Sequence, residues 1–334
     1  MRAVEVVTDV DPSEWGRFVL AHPNGSIFQT PDMYHVYSAT KYHDPMVLAA
    51  LSNGEIRGIL LSCMSRYGSG VRGLLSNRST IWGGPLVSDE DQEVARLLIT
   101  AHDGFVRGKV LFSQVKNVSD PGPLLSTYES SGYTFQDHIN YIVDLSPGED
   151  RVFARFQKRK RNLIRGAIRD GLITRCGREK DVEIFYQMLK EVFLKARIPL
   201  QDFTFFRAIF DCLVPKGLAR FFICESDGVP IAGLLCLMYH DTMYGFYAAS
   251  FRQYVHLYPN EVMHWNVFQW AIQNEYKVFD FCGAGSPEEE WGVRDFKRRF
   301  GGREVNFGWF RKIESPLKMN LARAAFAVYR KLMR

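Results

Sequence analysis

The chain concentrates its charge in one short stretch. Between Lys158 and Arg169 stand Lys158, Arg159, Lys160, Arg161, Arg165 and Arg169, and no carboxylate follows until Asp170. Residues three and four apart on a helix are neighbours, and a like-charged pair there costs roughly a few tenths of a kcal/mol. Repulsion left unrelieved by acids predicts an anionic partner. Aminoacyl-tRNA and phosphorylated lipid both fit; only the nucleic acid carries the steep salt dependence of counterion release. Val152, Phe156, Leu163, Ile164, Ala167 and Ile168 share a broad apolar face, so the whole segment reads as one amphipathic helix ending at Gly171.

Other reactive side chains are sparser. Cys63, Cys176, Cys212, Cys224, Cys236 and Cys282 form no CxxC pair and no metal-ligand spacing. Reduced thiols, no metal and no cofactor are expected. Asp280 and His264 are of the right kind for a general base. A carboxylate closing a strand and a histidine on a helix serve structure as readily.

These groups need a scaffold, and the chain repeats one. VLAALSNGEIRGILLSCM from Val47 and FFICESDGVPIAGLLCLM from Phe221 each hold two apolar runs around Asn-Gly or Asp-Gly. Those pairs favour the type I′ turn, whose two central residues both need positive φ. Each copy therefore reads as a β-hairpin. Ser79–Leu86, a helix over Glu90–Val106 and a strand over Lys109–Val115 follow the first; Met243–Ser250, a helix over Asn260–Asn274 and a strand over Lys277–Cys282 follow the second. The offset of about 170 residues suits a duplicated domain rather than a solenoid. Asp11-Pro12 and Thr30-Pro31 open helices over Pro12–Ala21 and Pro31–Lys41. Tyr141–Leu145 reads as the strand closing the first copy.

With 334 residues and 46% hydrophobic side chains, two cores of ordinary domain size are affordable. We expect an α/β protein of mixed sheets: an N-terminal domain over 1–148, a C-terminal domain over 149–316, and a basic amphipathic helix over 317–334. Residues 1–150 hold 11 Lys/Arg against 18 Asp/Glu, and residues 151–334 hold 31 against 19. The second half is the one that attracts anions. No apolar signal region opens the chain and no apolar run of about 18 residues occurs, so a cytoplasmic protein is expected.

The stretch YGFYAASFRQYVHLYPNEVMHWNVFQWAIQNEYKVFDFCGAGSPEEEWGVRDFKRRFGG, together with KRKRNLIRGAIRDG, FLKARIPL and IFQTPDMYHVYSATK, resembles the Fem family of peptidoglycan amino-acid ligases. The resemblance covers nearly the whole chain. It implies two tandem acyltransferase domains of the GNAT type with a cleft between them. The activity it implies is aminoacyl transfer to an amine of a cell-envelope precursor. Lys297 matches the family lysine that stabilises developing charge, while Lys41, Arg197 and Tyr247 match substrate-contacting positions. Asn260, His264 and Trp291 fall within the matching stretch and are expected to contact substrate as well. Trp291 with Gly292 fits tight packing equally well. The family's coiled-coil arm has no counterpart here, as in its smaller members.

Acyl-CoA-dependent relatives wrap pyrophosphate at the start of the helix after Met243–Ser250, using a glycine-rich loop. Here that place reads RQYVHLYPNE, without R-x-x-G-x-G, and Pro259 has no N–H. The leading expectation is therefore an aminoacyl-tRNA donor and a phosphorylated or lipid-linked envelope precursor as acceptor. An acyl thioester donor serving polysaccharide synthesis is the second reading, and an inactive RNA- or phospholipid-binding module the third. Leu321, Ala325, Val328 and Leu332 line one face of the tail. That face either lies on the inner face of the membrane or docks on the protein. Oligomeric state is not legible.

Overall fold

A computed structural model describes residues 4–70, 73, 75–288, 292–322 and 324. The expected order of elements is present. It begins with β1 (Glu5–Val7), α1 (Pro12–Ala21), α2 (Pro31–Ser38), β2 (His43–Ser52), β3 (Glu55–Ser65), β4 (Arg78–Trp82), β5 (Leu86–Val87) and α3 (Gln92–Val106). There follow β6 (Phe112–Lys116), α4 (Leu124–Ser130), β7 (Thr134–Gln136), β8 (Ile139–Asp144), α5 (Glu149–Arg155), α6 (Lys158–Arg169) and β9 (Ile173–Cys176). Next come α7 (Asp181–Ala196), α8 (Phe203–Leu213), β10 (Ala219–Ser226), β11 (Val229–Tyr239), β12 (Thr242–Ser250) and α9 (Pro259–Gln273). β13 (Val278–Asp280), α10 (Gly292–Arg298), β14 (Arg303–Asn306) and β15 (Trp309–Ile313) complete the order.

Local chemistry accounts for these boundaries. Asp11 accepts from the amides of Ser13 and Glu14, and Thr30 from that of Met33, so both proline-led helices start capped. The two hairpin turns have φ of 53° and 80° at Asn53-Gly54, and 50° and 75° at Asp227-Gly228, the signs a type I′ turn requires. β11 is buried from Ile231 to Met238, which explains its unbroken apolar run.

The chain forms two units, residues 1–137 with 307–334, and residues 138–306. Among the described residues the first sheet runs β1-β2-β3-β4-β6-β15-β7, with β5 beside β3; the second runs β14-β8-β13-β12-β11-β10-β9. Read from opposite ends, the two orders correspond position by position. In each, the only parallel neighbours among the described residues are the central pair, β4–β6 and β12–β13. Even the irregularities repeat: the register slips at Ala50/Leu51 and at Cys224/Glu225, each just before its turn. The duplication is thus one of topology as well as of hairpins.

Where the chain passes between units, the structure departs from the expected division at 148 and 316. β8, expected to close the first domain, pairs with β13 and β14 in the second sheet. β15, expected in the second domain, lies between β6 and β7 of the first. Side chains explain the exchange. Ile139, Tyr141 and Val143 enter the second unit's core. Phe310 is fully buried in the first unit's core, stacked 4.3 Å from Tyr128 and set edge-on to Phe135 at 5.3 Å. The segment expected as one basic helix is two, α5 and α6, broken at Phe156-Gln157. Residues 316–322 are helical, with Leu317 and Leu321 exposed; most of the tail, with Ala325, Val328 and Leu332, lies outside the described residues.

Candidate active site

In the second unit the parallel pair holds register only at Thr242–Val278, Met243–Phe279 and Tyr244–Asp280. β12 then continues to Ser250, while the chain after Asp280 turns away through Cys282 (φ 55°), Gly283 (φ 108°) and Gly285 (φ 78°). The strands part at their carboxyl ends, where α/β sheets gather ligands. Glycine suits position 283 because side chains rarely adopt a φ of 108°; a Cβ would also stand 2.6 Å from Nε2 of His138, which would have to move.

A buried network fixes the turn. Asp280 Oδ1 accepts from Asn140 Nδ2 at 2.7 Å and from the Cys282 amide at 2.6 Å. Asn140 Oδ1 accepts in return from the amides of Tyr141 and Gly283, both at 2.8 Å. Lys297 reaches in from α10 and donates to the carbonyls of Phe281 at 2.8 Å and Gly283 at 2.6 Å. Burial pushes the Lys297 ammonium down to about 8, against the nearby Cys282 and Asp280. Burial also pushes Asp280 up, against its hydrogen bonds and the Lys297 charge. The structure therefore brings Lys297 and Asp280 to one turn, and Asn140, 140 residues from Asp280 in sequence, bonds both Asp280 and the Gly283 amide of that turn.

His264, on α9, stacks on Phe281 at 5.6 Å with Phe296 and Phe300 close by. Its Nδ1 lies 2.7 Å from the Asn260 carbonyl. Burial lowers its pKa to about 3. So weak a base is poorly matched to taking a proton at neutral pH; His264 fills an aromatic pocket. Asn260 donates to Ser250 Oγ at 3.0 Å, tying the start of α9 to the end of β12.

Lys160 departs most from its expected place. The sequence groups it with the cations expected to meet an anion, but its side chain is only 3% exposed and lies 3.6 Å from Glu261. Its Nζ sits 3.8 Å and 4.1 Å from the ring centres of Phe296 and Phe300, and burial lowers its pKa to about 8. The cause is helical spacing: Lys160, Ile164 and Ala167 are the three buried residues of α6. Arg161 is occupied too, donating to the carbonyls of Ala154 and Phe156 across the helix break. Lys158, Arg159 and Arg165 remain exposed.

The remaining expected residues are scattered. Tyr247, half-buried on β12, packs edge-on to Phe206 at 5.0 Å and to Phe246 at 4.9 Å. Arg197 ends α7 in the left-handed region, with φ of 54°. Lys41 belongs to the first unit, exposed, with its Nζ 5.0 Å from the Tyr42 ring centre. Trp291 lies outside the described residues. Sequence reasoning missed Asn140, since nothing in INYIVD marks it as a partner for Asp280. It also missed Glu261, whose place inside the flagged Asn260–His264 turn was the available signal.

The first unit holds a serine, a histidine and an aspartate in line. Ser79 Oγ is 2.8 Å from His102 Nε2, and His102 Nδ1 is 3.1 Å from Asp103 Oδ1. Ser79 and His102 have no exposed surface, so no acyl group reaches the hydroxyl. Asp103 also binds Tyr133 at 2.8 Å and Lys312 of β15 at 2.6 Å, which makes the line a seat for that strand. Ser79→Ala is expected to leave transfer within about twofold of wild type and to lower stability by about 1 kcal/mol, read from steady-state rates and urea unfolding.

Comparison with known proteins agrees with this geometry. The acetyltransferase (GNAT) domain family matches residues 154–298. The lipid II:glycine glycyltransferase of Staphylococcus haemolyticus (strain JCSC1435) is 19% identical, over 88% of this chain and 89% of its own length. The protein of that name from Staphylococcus epidermidis RP62A is 18% identical, over 85% and 86%. Among solved structures, FemX superposes with a TM-score of 0.74 at 16% identity, covering 95% of this chain and all of its own. A tandem GNAT protein from the clavulanic acid biosynthesis pathway gives 0.63 at 12% identity, covering 94% and 99%. Two mixed sheets of one topology, a GNAT match over residues 154–298, which include Lys297, and relatives that run the length of the chain point the same way: the protein is an acyltransferase with a GNAT domain over 154–298, similar along its length to Fem-type proteins.

Proposed function

We propose that this enzyme transfers an aminoacyl group from aminoacyl-tRNA to an amine on a lipid-linked or phosphorylated cell-envelope precursor. The observation that carries the reading is the Lys297 ammonium, held at the parting of β12 and β13 by two carbonyls. Those carbonyls take two of its three protons, and the ammonium also lies 5.6 Å from the centre of the Phe281 ring. An amine attacking an ester carbonyl first forms the C–N bond; the C–O bond then breaks, and the departing oxygen takes the proton the amine loses. Negative charge gathers on the carbonyl oxygen between those events. A fixed, poorly solvated cation lowers its energy without having to reorganise. No covalent intermediate is required.

Two features favour tRNA over acyl-CoA as the donor. Tyr258 in the left-handed region and Pro259 open α9, with Glu261 in the first turn; a missing N–H and a carboxylate suit a pyrophosphate poorly. Lys158, Arg159 and Arg165 remain exposed on α6. The relatives named as glycyltransferases acting on lipid II support the acceptor class.

The purified enzyme, given an amine-bearing precursor, is expected to form amide with charged tRNA and none with acyl-CoA; the reverse result overturns the donor. Arg159→Gln should flatten the salt dependence of tRNA binding by about one ion. Lys160→Met, inside the protein, should leave that slope unchanged. Equal slopes for all three proteins remove tRNA from this helix.

A further inference from the structure

The carboxyl end of β12 leads into a surface that the transfer chemistry does not use. After Ser250 the chain forms a 3-10 helix (Arg252–Leu257) and then opens α9 at Pro259. The last turns of α7 lie against the same place. Phe193 stacks on Tyr247 of β12 with ring centres 6.0 Å apart, and Glu191 Oε1 accepts from the Arg252 amide at 3.1 Å. The first turns of α9 also connect this surface to Lys297: His264 stacks on Phe281, whose carbonyl accepts from that ammonium.

The two joined segments present large apolar side chains to solvent. Leu194 is 67% exposed and Ile198 51% at the end of α7; Val255 is 51% exposed and Tyr258 39% before α9. A single exposed apolar residue needs no explanation. Four of them on two tethered segments make a patch of the kind that marks an interaction surface. Lys190, Lys195 and Arg252 stand exposed among them, and the carboxylate of Glu191 already accepts from the Arg252 amide. Apolar side chains ringed by cations match an anionic membrane surface, where the former enter the boundary of the acyl chains and the latter meet phosphates. Among the described residues no helix is long and apolar enough to cross a membrane, so the contact is with one leaflet.

We propose that this face, built from the end of α7 and residues 252–258, docks the protein on an anionic phospholipid surface. The proposal rests on the lipid-linked acceptor proposed above: a seated face brings the Lys297 turn towards the headgroup layer, where such an acceptor presents its amine. Docking needs neither donor nor turnover, so its failure is separable from failure of the transfer reaction.

The probe is a vesicle of phosphatidylcholine and phosphatidylglycerol in equal parts, sedimented with the full-length protein in the absence of tRNA. The wild type is expected to sediment with it, and to bind vesicles of phosphatidylcholine alone about tenfold more weakly. Leu194→Gln combined with Ile198→Gln should weaken binding by about tenfold, with the circular dichroism spectrum of wild type, since both side chains are exposed. Lys190→Gln combined with Lys195→Gln should weaken it several-fold and reduce its sensitivity to salt. In turnover, the variant lacking both apolar side chains should lose rate on a precursor held in vesicles and keep the wild-type rate on the same precursor cut free of its lipid. No sedimentation of the wild type overturns the face. Undiminished sedimentation of the Leu194→Gln, Ile198→Gln protein places the contact elsewhere, the tail after residue 316 included, and overturns it too. Equal loss of rate on both precursors overturns docking as the role of these side chains.

Discussion

Lys297→Met is expected to lower transfer by about 10²–10³-fold, the usual effect of removing one group that stabilises an oxyanion, while the circular dichroism spectrum stays that of wild type. The loss should fall on the rate rather than on substrate affinity. Full activity in this variant would show that the charge has no part in the reaction. The pH profile adds a separate signature. Lys297 sits at about 8 instead of 10.5, so its charge, and the rate with it, should fade as pH rises through about 8. In Lys297→Arg, whose guanidinium stays charged far above that pH, the overall rate should be lower but the alkaline fall absent. Stability should move the other way. Lys160 and Lys297 both hold their protons less tightly folded than unfolded. Between about 8 and 10.5 the unfolded chain carries more protons, so both lysines make the native state more stable as pH climbs through that window. An enzyme that loses rate while gaining stability over one pH range is the combined expectation.

The second large effect concerns the division of the chain. A fragment of residues 1–148 is expected to lack a cooperative unfolding transition and to elute as aggregate in gel filtration. It lacks β15, which stands between β6 and β7, and so it lacks Phe310. Truncating a buried phenylalanine alone costs about 3–5 kcal/mol, against a total of about 5–15 kcal/mol for a typical domain. The fragment also carries β8 without the strands that cover it, leaving Ile139, Tyr141 and Val143 on an unpaired edge. Residues 138–306, by contrast, contain their whole sheet and should melt cooperatively by calorimetry. A sharp transition in 1–148 near the wild-type temperature would refute the role given to β15.

What the sequence disclosed follows from the range of each signal. Asn53-Gly54 and Asp227-Gly228 are local, and both hairpins came out with the turn those residues demand. The caps at Asp11 and Thr30 are local too. β7, β14 and β15 were invisible because three to five residues carry no readable alternation. The exchange of β8 and β15 was hidden for a different reason: apolar side chains specify that a strand is covered, not which sheet covers it. Lys297 and Asp280 were flagged from the sequence, and the structure joins them, but the bond between Asn140 and Asp280 spans 140 positions and leaves no periodicity. Lys160 was legible and misread. Its spacing to Ile164 and Ala167 placed it on the apolar face, and its charge masked that.

The exchanged strands also bear on how the protein is made. Synthesis proceeds from the N-terminus, and domains usually fold in the order they emerge. Here the first unit emerges first yet waits for residues 309–313, the far side of an entire folded neighbour. Until then its sheet has a vacancy beside β6, and the hydrophobic partners of Phe310 stand uncovered. The second unit, complete at residue 306, can finish before the first. The order of folding is thereby inverted relative to the order of translation, and the exposed interval of the first unit is the time the ribosome takes to build the second.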